Sequence, residues 1–308
     1  MRVFVTGADG FIGSHLCEAL RDAGHDVTGL AFYNSFDSFG WLDEVDGVAK
    51  IRGDVRDAEQ IRKLINGHEV VFHLAALISV PHSYDAPRAF IDTNVTGTLN
   101  VLLAARDAGA KIVHTSTSEV YGTAQYTPQD ETHPIKPQSP YAASKVAADA
   151  LVRSFVLSYG MSAVILRPFN TYGPRQSERA VIGSICRQMA DPRCSGYVEV
   201  GHTESARDFM YITDTVAAFL AVMPLDGVFN AATGVCTKIE DLLGTVLRVH
   251  SVTRQRPDGS EVHRLIGDAS ALAKATGWQA AVNIEDGFAR TLNWWRSRSY
   301  RKDIAYVV

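Results

Sequence analysis

Close to its start the chain runs through a short stretch rich in β-branched residues, Arg2 to Thr6 (RVFVT), and halts on Gly7, with glycines again at positions 10 and 13. This one feature constrains the fold more than any other. Glycine lets the backbone turn sharply and approach another group closely. A helix that opens just after such a turn presents free N–H groups and a positive field to an anion. A GxxGxxG spacing at the end of a first strand therefore points to a turn that cradles a pyrophosphate.

The alternation begun there continues. Leu16 to Ala23 reads as a helix closed by Gly24, and Asp26 to Ala31 as the next strand. Val48 to Arg52 is a third strand, followed by Asp57, which is placed to cap a helix with Gln60 three residues on. Glu69 to Leu74 (EVVFHL), Lys111 to His114 and Ala163 to Arg167 (AVILR) are further buried runs. Ala86 to Ala108 and Tyr141 to Tyr159 read as long helices. Strands separated by helices require right-handed crossovers and a parallel sheet. The predicted class is α/β, a Rossmann doubly wound sheet over residues 1–170. After about residue 170 the rhythm loosens and Gly, Pro and Arg become dense. Residues 171–308 are expected to form a smaller α/β lobe that faces a substrate. Gly227 to Ala231 (GVFNA), in a segment near 210–235, has the pattern of a strand returning to the main sheet. Residues 298–308 show no pattern.

The charge balance narrows the partners. Thirty basic residues stand against 34 acidic ones, a formal net charge of −4. That gives neither the basic face expected of a duplex binder nor a polybasic membrane anchor. The four cysteines, Cys17, Cys186, Cys194 and Cys236, show no CxxC or zinc spacing, so no metal site is expected. The apolar runs are too short to span a bilayer. Met1 to Gly7 already reads as a strand, and the expectation is a cytoplasmic protein without a signal peptide.

A second motif carries chemistry. The strand near residue 114 ends in HTSTSEVYG, placing Ser116, Thr117, Ser118 and Glu119 at the mouth of the sheet. Further on, Tyr141 and Lys145 are four residues apart and share one helix face. An ammonium beside a phenol, with a nicotinamide cation near both, favours phenolate. The phenolate can then accept a proton from a sugar hydroxyl while hydride leaves for a cofactor.

Together these segments resemble the extended short-chain dehydrogenases/reductases of the NAD-dependent epimerase/dehydratase family, which act on nucleotide-sugars. The matching pieces are Thr6 to Gly13, Gly53-Asp54, His73 to Ala76, Asn94 to Gly97, Ser116 to Gly122, Tyr141 to Lys145, and Arg167 to Arg175, with Arg207 to Phe209 and Asp214 to Val216 continuing the match. The resemblance implies a cofactor site formed by Gly7, Asp9, Gly10, Phe11, Ile12, Gly13, Asp54, Val55, Leu74, Ala75, Ala76, Asn94, Thr115, Tyr141, Lys145 and Pro168. It implies substrate contacts from Asn170, Arg175, Arg207 and Arg264, and a homodimer built on the two long helices. The acid that usually ends the second strand, to hold the adenosine ribose, is missing from Leu30 to Asn34. NAD is expected, with NADP left open.

Glu119 separates the reactions within this resemblance. Dehydratases of the family carry a Glu two residues after the catalytic Thr, here Thr117, while simple 4-epimerases lack it. Once C4 is oxidised the C5 proton is acidic, and a carboxylate can remove it as water leaves C6. The residue between Thr117 and Glu119 is Ser118, where glucose-type dehydratases place an acid, so the proton donor to the leaving hydroxyl stays open. Tyr33 to Phe36 with Gly40-Trp41, and Gly173 to Ser177, resemble a subgroup acting on UDP-N-acetylglucosamine. The expected activity is a UDP-sugar 4,6-dehydratase. A 4-epimerase, a tunicamycin-type 5,6-dehydratase and a non-catalytic NAD(P)-sensing module are the alternatives.

Overall fold

The computed structural model describes residues 1–194, 196–200, 205–243, 248–251, 257 and 259–298. Six strands rise through the first half of the chain: β1 (Arg2–Thr6), β2 (Asp26–Phe32), β3 (Ala49–Gly53), β4 (Val70–His73), β5 (Lys111–Thr115) and β6 (Ala163–Pro168). With Gly227–Ala231 they form one seven-stranded parallel sheet, in the order Gly227–Ala231, β6, β5, β4, β1, β2, β3. The order reverses between β4 and β1, which pair with Thr6 opposite His73. In such a sheet the crevice at the carboxyl ends of those two strands is where ligands bind.

Alternation along the strands builds a core on each face. In β1, Val3 and Val5 face α1 (Phe11–Asp22), meeting Leu16 and Leu20. Phe4 faces the other way, onto Ile61 of α2 (Ala58–Ile65). Beyond α2, that second face is covered by Gly97–Ala108 and by Pro140–Tyr159. Phe72 is fully buried in the first core, so Phe72→Ala would cost about 3–5 kcal/mol.

Several elements differ in extent from the pattern. The first helix begins at Phe11, five residues before the apolar periodicity begins, because Gly10 already caps it. Asp57 caps α2 by accepting the N–H of Gln60, as its spacing predicts. The single long helix predicted from Ala86 to Ala108 is interrupted. Pro87–Phe90 is followed by a π-helical stretch, Ile91–Thr96, before Gly97–Ala108 resumes. The wider turn is tied to Asn94, whose side chain bonds the N–H and the carbonyl of Leu77 and the hydroxyl of Ser144. π-bulges of this kind collect at functional sites.

Past β6 the chain leaves the sheet. Asn170–Tyr172 pairs with Phe209–Tyr211, and Ala206–Arg207 lies between Thr237–Lys238 and Arg264–Leu265. Gly227–Ala231 pairs with β6 in parallel, so the second lobe feeds a strand back into the first. Among the described residues no helix is long and apolar enough to cross a membrane, and no group of His, Cys, Asp and Glu is placed to hold a metal. Residues 299–308 lie outside the described residues.

Candidate active site

The glycine turn sits at the reversal point of the sheet. A Cβ on Gly7 (φ 68°) would lie 2.8 Å from the backbone nitrogen of Ala75, and one on Gly13 would lie 2.1 Å from the carbonyl oxygen of Gly7. Only glycine fits at either place. Gly10 caps α1 without a side chain, and no acidic residue stands in the first turn. The leading N–H groups, at Phe11, Ile12 and Gly13, are therefore claimed by no cap side chain. This cradle suits the diphosphate of a dinucleotide. Asp9 turns its carboxylate to the N–H of Phe32 at the end of β2, and its carbonyl accepts the N–H of Trp41. Gly40 and Trp41 thus close onto the glycine turn.

The neighbouring strand end is knotted by a residue chain that spacing did not reveal. Thr98 donates its hydroxyl to the carbonyl of Asn94 (2.6 Å), so it accepts from Nε2 of His73 (2.9 Å). Nδ1 of His73 then accepts from the Thr6 hydroxyl (2.8 Å), and that oxygen accepts the N–H groups of Leu74 and Ala75 (3.1 Å each). Burial, with the charges of His114 and Lys145, holds His73 well below the usual histidine range and keeps it neutral. The loop from Leu74 to Ala76 is fixed against Gly7 by these bonds. Asn94, expected to touch a cofactor, instead has its amide engaged by Leu77 and Ser144. Val55 is held from behind by Asn100, whose amide donates to its carbonyl (3.0 Å), and Asp54 is bridged by Arg56.

Tyr141 and Lys145 lie on Pro140–Tyr159, a helix started by Ser139, which accepts the N–H of Ala142. Both are buried, at 8% and 5% exposure. Thr117, which opens a short 3₁₀ turn over Ser118–Tyr121, and Glu119 both lie near enough to the Tyr141 phenol to act on it, Thr117 favouring phenolate and Glu119 opposing it. Phe90 meets the Tyr141 ring edge-on at 6.3 Å. The spacing predicts a phenol made acidic by the ammonium; in the protein by itself the balance runs the other way. Burial pushes the phenol's pKa up, the nearby Thr117 hydroxyl opposes this, and the charges of Glu119 and Asp149 add to the rise. The Lys145 ammonium donates to the carbonyl of Thr115 at 2.5 Å, and burial draws its pKa down to about 8. Ser118 is 3% exposed, whereas Thr117 and Glu119 on either side are half-buried. Pro168 ends β6, buried at the sheet's edge of the cleft.

The second lobe treats its four expected contacts differently. Asn170 opens the short strand after β6, its N–H bonded to the carbonyl of Asp208. Arg175, in a left-handed backbone conformation (φ 68°), turns toward α1. Its two terminal nitrogens bind Glu18 at 2.8 and 3.0 Å, with Ser14 and His15 close by. Its fork is spent on Glu18, which turns it away from the substrate contact that the resemblance implies. Arg207 is 6% exposed, bonded to the carbonyl of Ala206 and 3.6 Å from Glu261. Arg264 is exposed. Trp294 packs edge-on against Trp41 (5.6 Å), with Arg298 over its face and bound to Glu44. This clasp joins Ile284–Arg296 to the segment behind the glycine turn.

The family described as GDP-mannose 4,6 dehydratase matches residues 4–291. A UDP-glucose 4-epimerase from Mycolicibacterium smegmatis is 35% identical over 97% of this chain and all of its own length. DesIV, a dTDP-glucose 4,6-dehydratase from Streptomyces venezuelae solved with NAD bound, is 29% identical with a TM-score of 0.88, covering 96% of this chain and 97% of its own. TunA, an NAD-dependent NDP-hexosamine 5,6-dehydratase of tunicamycin biosynthesis, is 30% identical with a TM-score of 0.87, covering 97% and 98%. With its reversal-point glycine cradle and its Thr117, Tyr141 and Lys145 cluster, the chain belongs to the extended short-chain dehydrogenase/reductase family of nucleotide-sugar dehydratases and epimerases.

Proposed function

We propose that this enzyme is an NAD-dependent nucleotide-sugar 4,6-dehydratase whose substrate is UDP-N-acetylglucosamine. One observation carries the choice of dehydration: a carboxylate, Glu119, stands two residues beyond Thr117 and close enough to Tyr141 for its charge to act on the phenol. A 4-epimerase leaves the C5 proton in place and has no use for that base. NAD is the group for which the glycine cradle and the buried Lys145 fit; when bound it takes hydride from C4, returns it to C6 and brings a positive charge that favours phenolate. Tyr141, beside Thr117, accepts the proton of the C4 hydroxyl. Glu119 removes the C5 proton, which the C4 ketone has acidified. The same carboxyl then gives that proton to the C6 oxygen, so water leaves and the base is restored. As hydride returns to C6, C5 takes a proton relayed from solvent through Glu119, and Tyr141 releases to solvent the proton it took, so the sum is a 4-keto-6-deoxy sugar plus one water. This places the acid role on Glu119 rather than on Ser118. Arg207, Arg264 and Asn170 hold the nucleotide diphosphate and sugar from the second lobe, and two copies pair through Gly97–Ala108 and Pro140–Tyr159.

Elimination across C5 and C6 with the C4 oxygen retained is the second reading, favoured by the likeness to TunA over nearly the whole chain. The experiment is incubation with UDP-N-acetylglucosamine in deuterated water, followed by mass and NMR. Loss of one water with deuterium at C5 and a C4 ketone supports 4,6-dehydration. An alkene with a C4 hydroxyl supports the second reading, and unchanged mass with inverted C4 would overturn both.

A further inference from the structure

The chemistry above uses Tyr141 and Lys145 but leaves unused the next residue on the same helix face. Positions 141, 145 and 149 are successive four-residue steps, and the third is Asp149, 4% exposed. A carboxylate in an otherwise apolar helix interior is uncommon unless it is paired. Asp149 faces two strands. From β5, the Ser116 hydroxyl donates to its Oδ2 at 2.9 Å, and Nε2 of His114 lies 3.5 Å from its Oδ1. From β6, Arg167, 2% exposed, donates to Oδ2 through Nη2 at 3.0 Å and Nε at 3.3 Å. Arg167 continues to the hydroxyl of Tyr121 (3.0 Å), which donates to Asn230 (2.7 Å) on the strand returning from the second lobe.

Two consecutive residues where β5 ends are thus gripped by one face of one helix. Thr115 receives the Lys145 ammonium on its carbonyl and Ser116 bonds Asp149, with Thr117 the next residue along. Oδ1 of the carboxylate faces Nε2 of His114 at 3.5 Å, and Asp149 stands one helical turn from Lys145.

We propose that Asp149 is a positioning residue for the Tyr141 and Lys145 pair: paired with Arg167, it fixes the end of β5 at residues 115–116 through Ser116 and sets a buried carboxylate one helical turn from the Lys145 ammonium. This rests on the dehydratase reading for its kinetic consequence only. Burial tends to strip the proton from Lys145, and the charge of Asp149 is what opposes it. Around this centre the other charged or titratable groups are His114 and Arg167 on the strands, Tyr121 bonded to Arg167, His73 tilted against His114 at 5.6 Å, and Tyr141 and Glu119 beyond Ser116. Burial and the neighbouring Lys145 keep His114 below the usual histidine range, so Arg167 is the cation that pairs Asp149 at neutral pH.

The test compares the full-length protein with Asp149→Asn, Asp149→Glu and Ser116→Ala, each loaded with NAD. The first readout needs no sugar: the titration of the Lys145 ε-carbon by NMR in lysine-labelled protein, assigned with Lys145→Met. Asp149→Asn is expected to lower the Lys145 midpoint by about one pH unit or more, and Asp149→Glu to restore it. An unmoved midpoint in Asp149→Asn overturns the electrostatic role whatever the substrate proves to be. The second readout is turnover of the nucleotide-sugar. Ser116→Ala, which keeps the Asp149–Arg167 pair and decides the matter should Asp149→Asn not fold, is expected to lower kcat about tenfold with KM within about twofold. Wild-type kcat in Ser116→Ala overturns the clamp. Absence of turnover by the wild type against every nucleotide-sugar would instead count against the dehydratase reading, with the Lys145 titration still deciding the role of Asp149.

Discussion

The two sides of the cleft are built on different principles. On the sheet side, Tyr141, Lys145 and Thr117 come from one helix face and one strand end, and buried bonds hold the backbone beneath them. On the lobe side, Asn170, Arg175, Arg207 and Arg264 come from four separate segments, of which only those of Arg207 and Arg264 pair in one small sheet. One of these arginines is spent on Glu18 and one lies beside Glu261, while the third is exposed. Reaction chemistry, which needs fixed geometry to a fraction of an ångström, sits on the rigid side. The proposed recognition of the nucleotide falls where segments can vary without disturbing the sheet.

Perturbing each side should therefore give different kinds of loss. The largest is expected from Tyr141→Phe, which removes the proton acceptor: the appearance of reduced cofactor at 340 nm in a single turnover should slow by about 10²–10⁴-fold. Nearly equal rates would move the acid–base role elsewhere. Next comes pH. Lys145 is held at about 8 by burial, so its charge is present below that pH and lost above it. If the charged ammonium is required, kcat/KM should fall about tenfold per unit on the alkaline side, and a flat profile to pH 10 would contradict it. On the lobe side, Arg264→Ala should raise KM about fivefold and leave kcat unchanged. The smallest kinetic effect belongs to Arg175→Ala. With its fork on Glu18, it should lower the melting temperature by a few degrees, about 1 kcal/mol for a partly buried pair, and leave KM as it was. A large rise in KM there would return Arg175 to the substrate.

Legibility in the sequence follows the same division. The glycine cradle, the strand rhythm and the Tyr141 and Lys145 pair are each set by local spacing, so they can be read along the chain. Asp57 as a cap is of the same kind. The Asp149 and Arg167 pair is not, because its partners are 18 residues apart and meet only across the sheet. A signal existed: an acid among Val146, Ala147, Ala148 and Ala150 on a buried helix. The sandwich of Thr6, His73 and Thr98 spans the reversal point of the sheet, and only the strand order brings it together. Arg175 misled for a related reason. Its motif is local, but the direction of its side chain is decided by Glu18 on a distant helix. Spacing reports the proximity of Lys145 to Tyr141 and not the burial that raises the phenol in the protein by itself; the expected acidity rests also on the nicotinamide charge that NAD brings.

The assignment of dehydration rests on Glu119, and Glu119→Gln tests it most directly. The glutamine keeps the shape of the turn and removes the base. Mixed with UDP-N-acetylglucosamine in deuterated water, this variant should still build up absorbance at 340 nm from C4 oxidation while releasing no water and placing no deuterium at C5. Full product formation at the wild-type rate, with deuterium at C5, would contradict the account.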